Sequence, residues 1–384
     1  MFIKRDIFNF FDRRMFAGKV LVVYGPRQSG KTTSIESYIS NRGLGSSVVT
    51  FNGDETSDRD LLADASAERM KMLVGDKRIV FIDEAHKIPC IGIVLKRFFD
   101  KFKDVQLIAS GSASEELAEK TEEPLTGRKF EYTLLPPSFG ELSDTTSPVE
   151  EIRELERRLV FGSYPDVVVH PGDEAARIRE IGKGYLYKDI LKHDDIRRPE
   201  LLDSLLRALA FQIGQEVSYS ELAQLTKSDA KTVMKYIDIL EKAFIVFRLG
   251  SYSRNLRNEL KKSRKVFFYD LGIRNYILGD WRPLAQRGND EAGHIWENYF
   301  IAERCKRIVV EKPETRMFFW RTSQMQEVDL VEESAGWLSA YEIKWSTKKP
   351  SRPFSKTFTA AYPQAACRLV TPTDYADCLL KTGE

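Results

Sequence analysis

The chain is poor in cysteine, with only Cys90, Cys305, Cys367 and Cys378 in 384 residues. No two of them form a C-x-x-C pair. That spacing argues against a zinc site and a disulfide framework, and makes a reducing cytoplasm the expected compartment. No run approaches the roughly eighteen apolar residues that a membrane-spanning helix needs. The opening Met1-Phe2-Ile3-Lys4-Arg5-Asp6 carries charges where a secretory signal has an apolar core. A soluble protein with no membrane partner is expected. Charge of one sign is also lacking: 59 Lys and Arg face 57 Asp and Glu, a net +2. Any grip on nucleic acid must come from a local patch and not from the global balance. The length leaves room for roughly two to four domains, with ample apolar content for real cores.

Among the features present, Gly25-Pro26-Arg27-Gln28-Ser29-Gly30-Lys31-Thr32 fits G-x-x-x-x-G-K-[ST] at every fixed position. Residues 19–24 before it read as a buried strand, and 33–39 after it as a helix start. Gly25 and Gly30 let the backbone curl so that successive N–H groups point into one anion-sized hollow, and the helix N-terminus adds its positive end. The segment from Gly25 to Thr33 is the expected nucleotide-binding stretch. Lys31 would reach the β- and γ-phosphates of ATP, and the Thr32 hydroxyl would hold Mg2+.

A strand at 47–52, an amphipathic helix at about 58–73 and a strand at 78–83 follow. Four apolar residues run into Asp83-Glu84, the second half of an ATPase site: Asp83 would orient the magnesium hydration shell and Glu84 would polarise the attacking water. The strand at 47–52 lies between these two motifs in sequence, leaving room for the extra central strand of ATPases with a catalytic glutamate. Asp83-Glu84-Ala85-His86 also matches a helicase box, but nothing later repeats the pattern as a second helicase lobe would. A helix over 89–102 and a strand over 105–110 come next. Ser110 or Ser112 would sense the γ-phosphate, or cap a helix at Glu115. Arg128, before a strand at 130–134, would neutralise charge on the transferring phosphoryl in its own subunit or a neighbour's, which would make a homo-oligomer. A short helix within 1–18 would bring Arg13 and Arg14 beside the nucleotide.

The Ser/Thr/Asp/Pro cluster at 142–148 marks a first boundary. A helical lid over the nucleotide is expected to about residue 214, interrupted by Phe161-Gly162-Ser163-Tyr164-Pro165. Ser218-Tyr219-Ser220-Glu221 has the form of a capping box opening a short helix. A second helix with Val233, Ile237 and Leu240 on one face follows, and then two strands joined by a basic loop. That order reads as a winged helix-turn-helix. Arg248, Arg254, Arg257, Lys261, Lys262, Arg264 and Lys265, with Lys231 and Lys235 one turn apart, would grip DNA phosphates. A winged helix used only for packing or oligomerisation is the alternative.

After a second boundary near 279–283, a helix carrying Glu297 precedes strands at 317–321, 327–331 and 337–344. Alternation puts Glu342 and Lys344 on one face, with Asp329 on the neighbouring strand. Two or three carboxylates and a lysine so arranged are the parts of a metal-dependent nuclease, with Glu297, Asp329 and Glu342 holding metal and Lys344 activating water. A solvated edge-strand face is the plain alternative.

The ordered set of Gly25 to Thr32, 80–89, Thr126-Gly127-Arg128, Phe161 to Pro165, Trp320-Arg321-Thr322 with Glu327-Val328-Asp329, and Glu342-Ile343-Lys344 resembles a family of prokaryotic AAA-like P-loop ATPases. These combine a winged helix with a C-terminal restriction-endonuclease-like domain of unknown function. The resemblance implies an α/β fold and magnesium-dependent ATP hydrolysis with DNA association. The expected domains are a P-loop ATPase at 1–142, the helical lid at 143–215, the winged helix at 216–280 and the nuclease-like α/β domain at 281–384. A switch or scaffold for protein partners, or an active DNA nuclease, are the alternative functions.

Overall fold

A computed structural model describes the protein at every residue except 64–65, 112–120, 122–123, 185, 187–195, 197, 254–263, 312–313, 347–353 and 381–384. Its contacts divide into two units, residues 5–136 and residues 1–4 with 137–384.

In the first unit, β1 (Val20–Tyr24), β2 (Val48–Asn52), β3 (Ile79–Asp83), β4 (Gln106–Gly111) and β5 (Lys129–Thr133) form one parallel sheet in the order β2-β3-β4-β1-β5. The inner strands read VLVVY, IVFID and QLIASG, and every residue in them is buried. A parallel strand covered on both faces needs such an unbroken apolar run. The strand that enters between β1 and β3 is β4, whereas β2 takes the edge. This order sets the ends of β1, β3 and β4 side by side. The single helix expected over 58–73 is two, Thr56–Ala63 and Ala67–Val74. Ser66 accepts a hydrogen bond from Arg69 N and starts the second helix, because a local side-chain acceptor competes with continuation of the helical ladder.

The second unit is built on a mixed sheet in the order β12-β11-β10-β9-β7-β8-β6. The strands are β6 (Glu216–Val217), β7 (Val246–Ser251), β8 (Arg264–Phe268), β9 (Arg316–Arg321), β10 (Glu327–Ser334), β11 (Trp337–Ile343) and β12 (Ala366–Val370). A parallel join between β7 and β9, Gly250 opposite Phe318 and Ser251 opposite Phe319, carries one sheet across the boundary expected at 281. The boundaries at 143 and 216 do not divide the unit either. Leu159, Ile181 and Leu205, from the segment expected to form a separate lid, share one hydrophobic core with Phe268, Trp296 and Phe300. The polar cluster at 142–148 is not a linker. It ends the helix Phe139–Thr145 and, at Ser147, caps the helix Pro148–Arg153; Ser138 and Glu141 close a capping box. Cap residues and linker residues look alike in composition, which is why the pattern misleads.

The helix Asn289–Glu311 is buried on most sides, with Ile295, Trp296, Glu297, Phe300 and Ile301 all enclosed. Asn298 acts as a strand substitute beside β8: it accepts from Phe268 N at 2.7 Å and donates to Phe268 O at 2.9 Å. That clamp fixes Glu297 against β8. Gly162 has a φ of 77°, and a Cβ on it would lie 2.0 Å from Asp270 Oδ1. Asp270 in turn accepts from Ser163 N at 2.7 Å. The Gly162-Ser163 pair within the Phe161 to Pro165 motif is therefore explained by close packing on the buried Asp270 carboxylate. No helix among the described residues is long and apolar enough to cross a membrane.

Candidate active sites

The phosphate loop leaves β1 and enters the helix Lys31–Asn41 through Gly30, whose φ of 90° is left-handed. Gly25 has a φ of 150°, and a Cβ there would lie 2.1 Å from Leu134 O, so only glycine lets the loop pass the chain after β5. Lys31 Nζ is buried and donates to Gly25 O at 3.0 Å and Pro26 O at 2.9 Å. Arg5 buttresses the loop from below, donating to Ser29 O at 2.8 Å and Leu135 O at 2.6 Å. Thr32 Oγ1 donates to Asp83 Oδ2 at 2.7 Å, and Ser110 Oγ donates to Asp83 Oδ1. Glu84 follows at a φ of 45°, a left-handed position that a glutamate seldom adopts. A Cβ on Gly53 would be 2.2 Å from Glu84 O, so the neighbouring chain presses directly on that backbone. Burial raises the Glu84 carboxyl above its ordinary value, against the pull of Lys31. His86 Nδ1 lies 3.4 Å from Glu84 Oε2.

These residues fit a nucleotide with Mg2+. Ser29 Oγ is buried without a hydrogen-bond partner among the described residues, and a hydroxyl joined to a carboxylate is a hard oxygen donor set.

In the second unit a cavity of about 1510 Å³ opens where β8, β10, the end of β11 and the helix Asn289–Glu311 meet. Glu297, Glu327 and Asp329 each offer an oxygen within 4.8 Å of the others. The register between β9 and β10 slips between Val328 and Val331, a bulge that sets Asp329 off the regular ladder. Lys344 Nζ lies 3.3 Å from Asp329 Oδ2 and 2.7 Å from Glu342 Oε1, and Ile343 N donates to Asp329 Oδ2 at 2.7 Å. Lys265 reaches in from β8, its Nζ 2.9 Å from Glu297 Oε1 and 2.5 Å from Glu327 Oε1. Burial opposes the charge on Lys265, but Glu297, Glu327 and Asp329 together outweigh it and hold the ammonium above its ordinary value. Burial, with Asp329 and Glu327 behind it, pushes Glu297 up to about 8 against Lys265, and burial with Asp329 pushes Glu342 up to about 7. The trio suits a divalent ion in donor type and spacing. Two of its three carboxylates, however, already hold the Lys265 ammonium.

Comparison with known proteins separates the two units. Residues 17–143 match the family described as an AAA domain. The first unit is an AAA-like P-loop domain. Residues 152–282 and 292–379 match two domains of unknown function, DUF8612 and DUF4143. Uncharacterised proteins of Mycobacterium bovis and Mycobacterium tuberculosis are each 29% identical over 359 residues, covering 91% of this chain and 75% of theirs. An uncharacterised protein of Haemophilus influenzae is 24% identical over 308 residues, covering 75% of this chain and 74% of its own. Among solved structures, the Walker-type ATPase of Pyrococcus abyssi has a TM-score of 0.50 at 16% identity. It covers 72% of this chain and 96% of its own, and shares the fold.

In the AAA-like domain, Lys31, Thr32, Asp83, Glu84 and Ser110 converge. Arg128 does not. Its carbonyl accepts from Val20 N at 2.9 Å, at the end of the sheet where β1 begins. The phosphate loop leaves the other end, five residues and about 16 Å away at ~3.3 Å per residue. Within one chain Arg128 is too far to reach the γ-phosphate, and its guanidinium lies instead 3.9 Å from Asp100. Arg14 also sits at that end, over the Phe130 ring at 4.4 Å, and Phe130 pairs with Leu21 rather than with the loop. Ser112 and the helix expected at Glu115 lie outside the described residues.

In the second unit Glu297, Asp329 and Lys344 meet, with Glu342 bound to Lys344 and outside the carboxylate trio. Glu327 takes the third place. Alternation from Asp329 points to it, because residues two apart share a strand face. Arg5 left no comparable signal. Of the basic residues expected to grip phosphate, Lys265 is buried among carboxylates, and Arg248 is half-buried in ion pairs with Asp238 at 2.6 Å and with Glu241. Arg254, Arg257, Lys261 and Lys262 lie outside the described residues. Lys231 and Lys235 are exposed on the helix Ala230–Lys242.

Proposed function

We propose that the chain is a magnesium-dependent ATPase that couples ATP binding and hydrolysis to DNA binding or processing. One observation carries the hydrolytic part: Asp83 joins the Thr32 and Ser110 hydroxyls, and the partly buried Glu84 carboxyl follows it directly. The backbone N–H groups of the loop and the first turn of the helix Lys31–Asn41 receive the phosphates, and Lys31 exchanges its loop carbonyls for phosphate oxygens. Thr32 and Asp83 are the residues that would hold Mg2+, which when bound neutralises charge on the β- and γ-phosphate oxygens. A carboxyl raised towards neutrality by burial is suited to take a proton from water, the role assigned to Glu84. Arg128 contributes only if a second copy of the chain brings it to a neighbouring site.

Phosphate release falls to background in Lys31→Ala. Glu84→Gln lowers turnover by about 10²–10⁴-fold with nucleotide binding kept. Unchanged release in either variant refutes the assignment.

DNA is the proposed partner because the order helix 199–211, β6, helices 219–225 and 230–242, β7 and β8 follows that of a winged helix, with Lys231 and Lys235 exposed. Retention of DNA at low salt that weakens steeply with added salt supports it. A second reading, an ATP-gated switch acting on protein partners, is favoured by Lys265 and Arg248 being held in internal ion pairs. No gel shift at low salt, with or without nucleotide, selects that reading. Cutting of branched, single-stranded or duplex DNA that disappears in Lys344→Ala selects the nuclease.

A further inference from the structure

We propose that Lys265 is a built-in cation at the carboxylate trio, competing with a divalent metal ion for Glu297 and Glu327 and keeping that site metal-poor. The inference rests on the reading of this cavity as a nuclease-like metal site, and it concerns what fills the site in this chain.

Three oxygens within 4.8 Å of one another span the coordination shell of a single hard cation, whose metal–oxygen bonds are about 2.0–2.6 Å. The Lys265 ammonium touches two of those three carboxylates. Its position is not a surface lysine's passing contact. Lys265 is 4% exposed, and its strand is hydrogen-bonded on both sides, opposite Leu249 of β7 and Glu216 of β6. Its Nζ lies 5.6 Å from the centre of the Phe319 ring, a second attraction for a cation at the same point. Asn298, the neighbour of Glu297, holds β8 through Phe268, so lysine and glutamate are fixed together. The third carboxylate, Asp329, meets a different cation, Lys344.

The carboxylates thus have cationic partners from the chain itself. A metal ion entering the trio must displace the ammonium from Glu297 and Glu327, or share the space with it against strong repulsion.

The test is Mn2+ binding to the full-length chain without nucleotide, counted by electron paramagnetic resonance of the free ion. An Asp83→Asn background keeps the phosphate loop out of the count. We expect no stoichiometric site in the Asp83→Asn chain, and one Mn2+ per chain, bound at least tenfold more tightly, when Lys265→Met is added. A further Asp329→Asn removes the gain. Lys265→Met combined with Glu297→Gln keeps the charge balance if the single change unfolds the unit, and it too should gain Mn2+ through Glu327 and Asp329. A stoichiometric site that is present with Lys265 intact and lost in Asp329→Asn overturns the role of Lys265 while leaving the metal-site reading standing. Folded Lys265 variants that gain no Mn2+ overturn both.

Discussion

Arg5 offers the most direct test of how the phosphate loop is held. Its guanidinium bridges Ser29 O and Leu135 O, one carbonyl inside the loop and one after β5, and the residue is 5% exposed. Arg5→Met keeps much of the side-chain volume and removes both donors. A hydrogen bond from a charged group contributes ~1.5–3 kcal/mol, and a buried carbonyl left alone costs about 1–3 kcal/mol. Water entering behind the shorter polar reach recovers part of this, so a loss of ~2–4 kcal/mol is expected. At ~4 °C per kcal/mol for a unit of this size, the first unit should melt roughly 8–16 °C lower. Nucleotide affinity should fall as well, because Ser29 and Leu135 are no longer tied across the loop. Differential scanning calorimetry of the full chain, with and without ATP analogue, reads both effects. A melting temperature within ~2 °C of the parent together with unchanged affinity refutes the reasoning, since two buried charge-assisted bonds cannot vanish without trace.

Other outcomes follow from the same contacts. Gly53→Ala forces Glu84 O away from a Cβ at 2.2 Å, so hydrolysis should fall while nucleotide binding persists, as separate turnover and binding assays will read. Gly162→Ala meets Asp270 Oδ1 at 2.0 Å with a left-handed φ. It should destabilise the second unit by ~2–4 kcal/mol in urea unfolding. Glu297 has a folded value of about 8 against an ordinary 4.5, so the folded chain holds an extra proton between them. Its stabilising effect is full below about pH 4.5 and is lost as pH rises towards 8, by up to ~1.4 kcal/mol per pH unit. Urea midpoints across that range should fall, and Glu297→Gln should flatten the slope.

The P-loop and its acidic partner were legible because their chemistry is local. A glycine at each turn, a lysine and threonine at the helix start and an acidic pair after an apolar strand lie in short, ordered strings. The same holds for Glu342 and Lys344, two residues apart at the end of β11. What misled was composition that serves two purposes. Ser147 caps a helix where its neighbours looked like a linker, and Lys265 is a strand lysine facing inward where a basic run suggested a surface.

By itself, the sequence determined that a phosphate-binding loop, an acidic strand end and a second cluster of acids and lysines exist, since each depends on spacing within one element. Only the tertiary structure decided which strand enters the centre of the first sheet. It placed Arg128 at the wrong end of that sheet to serve its own chain, and ran one sheet from β6 to β12. It also brought Lys265 from β8 into the group formed by Glu297, Glu327 and Asp329. These are matters of strand order and inward direction. They depend on contacts between residues far apart in the chain, Val20 with Arg128 and Lys265 with Glu327, which no local periodicity records.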